Sequence, residues 1–184
     1  MRCSLSLRQG LLLCVLMLAQ SGWAFERSDS VVVQCEAERN GERRDVKEVW
    51  LGFGDVGDRH PELGGAAAVV RLDREGWPVI FFDNVVFKAM LVSDPHMADF
   101  IFYHECAHAR DPDKNEIEAN CEAFLQLQQQ GLMTPVKEHA LSDTHRRMRR
   151  LPSRYGDSGE IFWEQTMACV QRGGDLSGAS VNTK

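Results

Sequence analysis

Apolar residues follow three different rhythms along this chain, and each rhythm predicts a different kind of element. From Leu11 to Ala19 the run is nearly continuous, with Arg2 and Arg8 before it and the small residues Gly22 and Ala24 after it. A bilayer-spanning helix needs about 20 such residues, so the run is too short to stay in a membrane. Basic start, short apolar core and small residues at the −3 and −1 positions instead predict a signal peptide over 1–24, cleaved before Phe25.

Between Ser28 and Phe82 apolar residues come in short blocks. SVVVQC (30–35) and AAAVVRL (66–72) read as strands, and the charged, glycine-rich stretch between them reads as loop. VIFF, preceded by the turn-like Arg74-Glu75-Gly76 and closed by Asp83-Asn84, reads as another strand, with Pro78 at its beginning or on a sheet edge. A short helix is expected from Asn84 to Leu91.

From Asp94 onward the spacing is helical. Asp94 can cap a helix whose first position suits Pro95 and which stops near Arg110, before Pro112. Asp113 and Glu116 then form an expected capping box. Ile117, Cys121, Phe124, Leu125 and Leu127 carry the next helix towards Gly131. A connection this short predicts an antiparallel helical hairpin. A third helical segment, broken near Ser142-Asp143, is expected over 135–151, a fourth over 159–171, and a disordered polar tail over 173–184. The sum is an α+β fold in one domain, 25–172.

Composition narrows the function. The formal charge is −6, and loss of Arg2 and Arg8 with the leader leaves 19 of the 21 basic residues against 27 acidic ones, near −8. That balance argues against a nucleic-acid partner despite the basic run RRMRR at 146–150, and no stable membrane insertion is expected after cleavage. Cys35, Cys106, Cys121 and Cys169 survive processing. An even number of cysteines in an exported chain predicts two disulfides in a periplasmic or secreted protein, with the pairing open.

The chemistry concentrates in FIFYHECAHARDPDKNEIEANCEAF (100–124). On a helix, His104 and His108 lie about 40° apart around the axis and one turn apart along it, so both imidazoles can face one ion. Glu105 falls beside them, where a carboxylate suits a general base for water activated by a metal. On the following helix Glu118 and Glu122 fall in the polar arc. Glu116 and Asn120 sit within or beside the apolar one. A carboxylate there needs a partner, which either a metal on the neighbouring helix or the capping box itself supplies. Asp111 is a rival third ligand. Asn120 can hold a histidine's second nitrogen or bond helix to helix. Cys106 falls about 200° from His104, away from the proposed metal.

HECAH followed by EIEAN resembles the gluzincin metallopeptidases, in which a glutamate on the next helix completes HExxH. The small ImmA/IrrE-like and HtpX-like zincins are similar over residues 78–128. The resemblance implies a minimal zincin-like domain, a small sheet plus the helical hairpin, in which His104, His108 and Glu116 bind Zn2+ and Glu105 is the catalytic base. It also implies that PVIFF is a sheet edge holding an extended peptide. A donor for the oxyanion is needed as well, and His145, Tyr155 and His139 are candidates. The function expected is zinc-dependent hydrolysis of a peptide or protein substrate, which the cell envelope could supply. The alternative is a non-catalytic zinc-binding domain that recognises a protein or envelope partner.

Overall fold

Residues 24–52, 63, 66–147 and 158–173 are described by the structure, a computed structural model. The leader read over 1–24 and the polar tail lie outside them except for Ala24 and Gly173, as do Tyr155 and the end of the RRMRR run.

Among the described residues seven strands precede five helices. They are β1 (Phe25–Glu26), β2 (Val32–Val33), β3 (Glu36–Arg39), β4 (Glu42–Asp45), β5 (Lys47–Leu51), β6 (Ala68–Leu72) and β7 (Pro78–Asp83), then α1 (Asn84–Ser93), α2 (Pro95–Arg110), α3 (Glu116–Gln129), α4 (Pro135–Arg147) and α5 (Gly159–Gln171). The fold is a small, unclosed sheet beside a helical region, as the α+β expectation had it.

The stretch expected to be loop between the two apolar blocks holds β3, β4 and β5. β3 and β4 pair antiparallel around Asn40-Gly41, both with positive φ (53° and 79°), the backbone that a two-residue hairpin turn demands. β4 is exposed along its whole length, so no apolar alternation marks it.

β5, β7 and β6 form the main sheet in that order, β5 parallel and β6 antiparallel to β7. PVIFF is therefore the central strand, and the expectation that it forms the edge is corrected. Val79, Ile80 and Phe82 are buried, and both of the strand's sides are paired. Pro78 is tolerated because it opens the strand. The edges are β5 and β6, and β6 is joined to β7 by a turn in which Asp73 accepts from the backbone N–H groups of Glu75 and Trp77, both at 2.8 Å.

Caps set the helix starts. Asp83 accepts from the N–H groups of Val85 and Val86, so α1 begins directly where β7 ends. Asp94 and Pro95 open α2 as expected. The start of α3 is corrected: Asn115 accepts from the N–H groups of Ile117 and Glu118, and the Glu118 carboxylate accepts from that of Asn115. The capping box is Asn115 with Glu118 rather than Asp113 with Glu116. Among the described residues α4 is continuous through Ser142-Asp143.

Of the 16 residues of α2, 11 are buried, so the helix carrying HECAH runs through the interior and its polar side chains face protein. Phe102 anchors it, stacking on Phe25 at 4.3 Å and facing Phe82 at 6.5 Å. Each fully buried phenylalanine contributes about 1.5–3 kcal/mol. Disulfides join Cys35 to Cys106 and Cys121 to Cys169. The first ties the segment before β3 to α2, and the second ties α3 to α5.

Candidate metal centre

Four residues apart on a helix whose sequence places both rings on one side, His104 and His108 turn towards the start of α3. Asn115 and Glu118 form the capping box, and Glu116 turns to the two histidines. Its Oε2 lies 3.1 Å from His104 Nε2 and 3.4 Å from His108 Nε2. One oxygen thus stands between two imidazole nitrogens on another helix.

Two tests bear on whether this group fits a metal. Ligand atoms at about 2.0–2.1 Å from a tetrahedral ion stand roughly 3.3 Å from each other, and the two separations just given bracket that value. All three ligand atoms also lie within 4.8 Å of one another. Two imidazoles and one carboxylate leave a fourth position open, which is how catalytic zinc sites differ from structural ones.

Without an ion the three groups form a charged cluster. Burial works against charge on Glu116, but hydrogen bonds from His104 and His108 outweigh it and hold the carboxyl down at about 2. Burial likewise opposes protonation of His104, yet Glu116, Glu105 and Asn120 together raise its pKa above the ordinary value. The pocket therefore favours a positive charge at the point where two histidines meet, which a divalent cation supplies.

Behind the ligands runs a hydrogen-bonded chain. His104 Nδ1 donates to Asn120 Oδ1 at 2.7 Å, leaving Nε2 as the atom for a metal. Asn120 Nδ2 in turn donates to Thr166 Oγ1 at 3.5 Å, and the Thr166 hydroxyl donates to the Phe162 carbonyl at 3.0 Å. Sequence reasoning did not single out Thr166. Its place on the inner face of α5, three residues before Cys169, was the available signal.

Glu105 is buried and lines the same cleft as the three ligands. That cleft, about 270 Å³, is walled on its other side by β6 from Ala68 to Leu72 and closed by Pro112. Glu122 stands on the solvent side of the hairpin with Arg110 and Lys114. Cys106 faces away from the cleft, in its bond to Cys35.

His145 is placed elsewhere. It is buried in an aromatic nest, stacked on Trp163 at 4.7 Å with Phe100 edge-on, and its Nδ1 donates to the Leu141 carbonyl at 2.8 Å. Burial lowers its pKa, and the residue is not among those lining the cleft. His139 is exposed and pairs with Asp143. Asp111 caps the end of α2 through its backbone and is outside the metal cluster.

His104, Glu105, His108 and Glu116 form an HExxH-type zinc-binding arrangement in a minimal zincin-like fold. It is consistent with the gluzincin type, in which the third ligand is a glutamate from the next helix. No protein-family model, curated protein or solved structure matches the chain. Among the described residues no helix is long and apolar enough to cross a membrane.

Proposed function

We propose that the protein is a zinc-dependent peptidase acting on an extended polypeptide outside the cytoplasm. The observation that carries this reading is the convergence of His104, His108 and Glu116 beside a buried Glu105 on the wall of one cleft. His104, His108 and Glu116 would hold a zinc ion, which when bound would supply Lewis acidity towards a scissile carbonyl and lower the pKa of water. Glu105 accepts the proton that the attacking water loses and returns it to the departing nitrogen. Asn120 keeps His104 in the tautomer and orientation that its role requires.

β6 supports the choice of substrate. It pairs with β7 on one side and lines the cleft, so a peptide laid along its edge gains main-chain hydrogen bonds while its carbonyl reaches the histidines. Two disulfides accord with an oxidising compartment, and the leader read over 1–24 directs the chain there.

The test compares wild type with Glu105→Gln, His104→Ala and Glu116→Ala for zinc content and for cleavage of a denatured polypeptide. Wild type and Glu105→Gln are expected to hold near-stoichiometric zinc, the other two to lose it while remaining folded. Glu105→Gln is expected to lose hydrolysis by about 10²–10⁴-fold. Wild-type protein free of zinc in metal-replete medium refutes the site. Zinc bound by wild type and Glu105→Gln with no cleavage by either moves the reading to a binding domain.

A further inference from the structure

Glu48, in β5, has both carboxylate oxygens out of reach of solvent, and neither makes a hydrogen bond. A carboxylate in that state is expensive, and burial pushes its pKa up to about 7. Among the described residues the polar group that counteracts the burial is the backbone N–H of Phe25, which approaches without closing a bond.

Phe25 is held tightly. Its side chain is 1% exposed, stacked on Phe102 at 4.3 Å and edge-on to Phe87 at 5.8 Å, so its nitrogen has a fixed place beside Glu48. That nitrogen belongs to the residue at which the mature chain is expected to begin. In the antiparallel ladder Arg27 donates to Val31 at 3.0 Å, and alternation makes Phe25 with Val33 the next hydrogen-bonded pair. The single hydrogen of a peptide N–H is committed to that ladder. An ammonium has three, enough to keep the ladder bond and turn the others to the carboxylate.

We infer that cleavage of the leader between Ala24 and Phe25 frees an α-ammonium that docks on the Glu48 carboxylate, so that maturation completes the core beneath the metal helix. The step is hydrolysis of one amide by a signal peptidase. Water supplies the oxygen that leaves with Ala24 as its carboxylate, and the Phe25 nitrogen gains the protons that make it an ammonium. Before cleavage Glu48 is an uncompensated acid; afterwards it is half of a buried ion pair. The inference rests on the leader and is independent of the zinc reading.

The experiment uses the full chain exported with its own leader, and a version with Ser-Gln inserted between Ala24 and Phe25, which displaces the amine by two residues. Each is made with Glu48 and with Glu48→Gln, and unfolding is followed in denaturant with chelator present. Intact mass must place the wild-type start at Phe25; any other start overturns the inference. A charge-assisted contact of this kind alters the folding equilibrium roughly ten- to a hundredfold. Glu48→Gln is expected to cost that factor in the Phe25-start protein and to be neutral or stabilising in the inserted one. The same effect in both backgrounds overturns the pairing. The second readout is acylation of the α-amine in the folded Phe25-start protein, expected at least about tenfold slower in wild type than in the Glu48→Gln variant. Equal rates with and without the carboxylate refute the contact.

Discussion

Replacing Asn120 with alanine separates a metal site from a merely polar helix contact. In the native arrangement His104 Nδ1 donates to Asn120 Oδ1 at 2.7 Å, with His104 8% and Asn120 3% exposed, so water has little access to either partner. Alanine leaves a buried ring N–H without an acceptor, at about 1–3 kcal/mol. The ring is also free to turn, and the tautomer that presents Nε2 is no longer favoured. Loss of such a contact behind a ligating histidine weakens metal binding by about 10–100-fold.

Zinc affinity is measured by competition against a chromophoric chelator at fixed pH, with circular dichroism confirming that each variant is folded. Asn120→Asp keeps an acceptor and is expected to retain binding. Thr166→Val removes the longer 3.5 Å contact that steadies Asn120 and the hydroxyl's own bond to the Phe162 carbonyl, but leaves the His104–Asn120 bond in place, so it is expected to cost less zinc affinity than Asn120→Ala. A folded Asn120→Ala protein whose zinc affinity stays within about threefold of wild type refutes the orienting role assigned to the hydrogen bond.

Reducing the bond between Cys121 and Cys169, 48 residues apart, or replacing both with alanine, is expected to lower stability by about 4 kcal/mol on loop-entropy grounds. An unchanged denaturation midpoint counts against it. pH dependence follows from Glu48 in the inserted form, where the amine is displaced. Its carboxyl is raised from 4.5 to about 7, so the folded state binds more protons than the unfolded one. Stability is full below the ordinary carboxylate value and falls as pH rises through about 7, at no more than about 1.4 kcal/mol per pH unit. Glu48→Gln should flatten that slope, and a profile already flat with Glu48 in place contradicts the assignment.

The convergence of His104, His108 and Glu116 was legible because helical geometry converts spacing into direction. His104 and His108 at four residues must share a face, and Glu116 falls on a different arc from Glu118, which the structure bears out by giving Glu118 to the cap. The register of the cap was misread by two residues, since Asp113 and Asn115 are both competent caps and only the course of the turn after Asp111 decides between them.

The strands were harder. β4 is solvated on both faces and has no alternation to read, although Asn40-Gly41 beside it is a hairpin signal that composition hid among charges. β7 is an apolar run buried on both faces, and such a run looks the same at the centre of a sheet as at its edge until its partners are known. The nest around His145 draws on Phe100 and Trp163, far from it in sequence, so nothing in THRR announces it.

The arrangement of cysteines makes sense only once the metal centre is placed. All three residues of the candidate metal cluster come from α2 and α3, so the site is no better defined than the relation between those two helices. Cys106 follows Glu105 directly and points to the opposite side, fastening the back of α2 to the segment before β3. Cys121 follows Asn120 and fastens α3 to α5, the helix that carries Thr166. Each ligand-bearing helix is therefore held covalently from behind, at a residue adjoining one that faces the metal cluster. A carboxylate and two imidazoles kept within 4.8 Å by such anchoring need little reordering when an ion arrives, so less of the binding energy is spent on assembling the site.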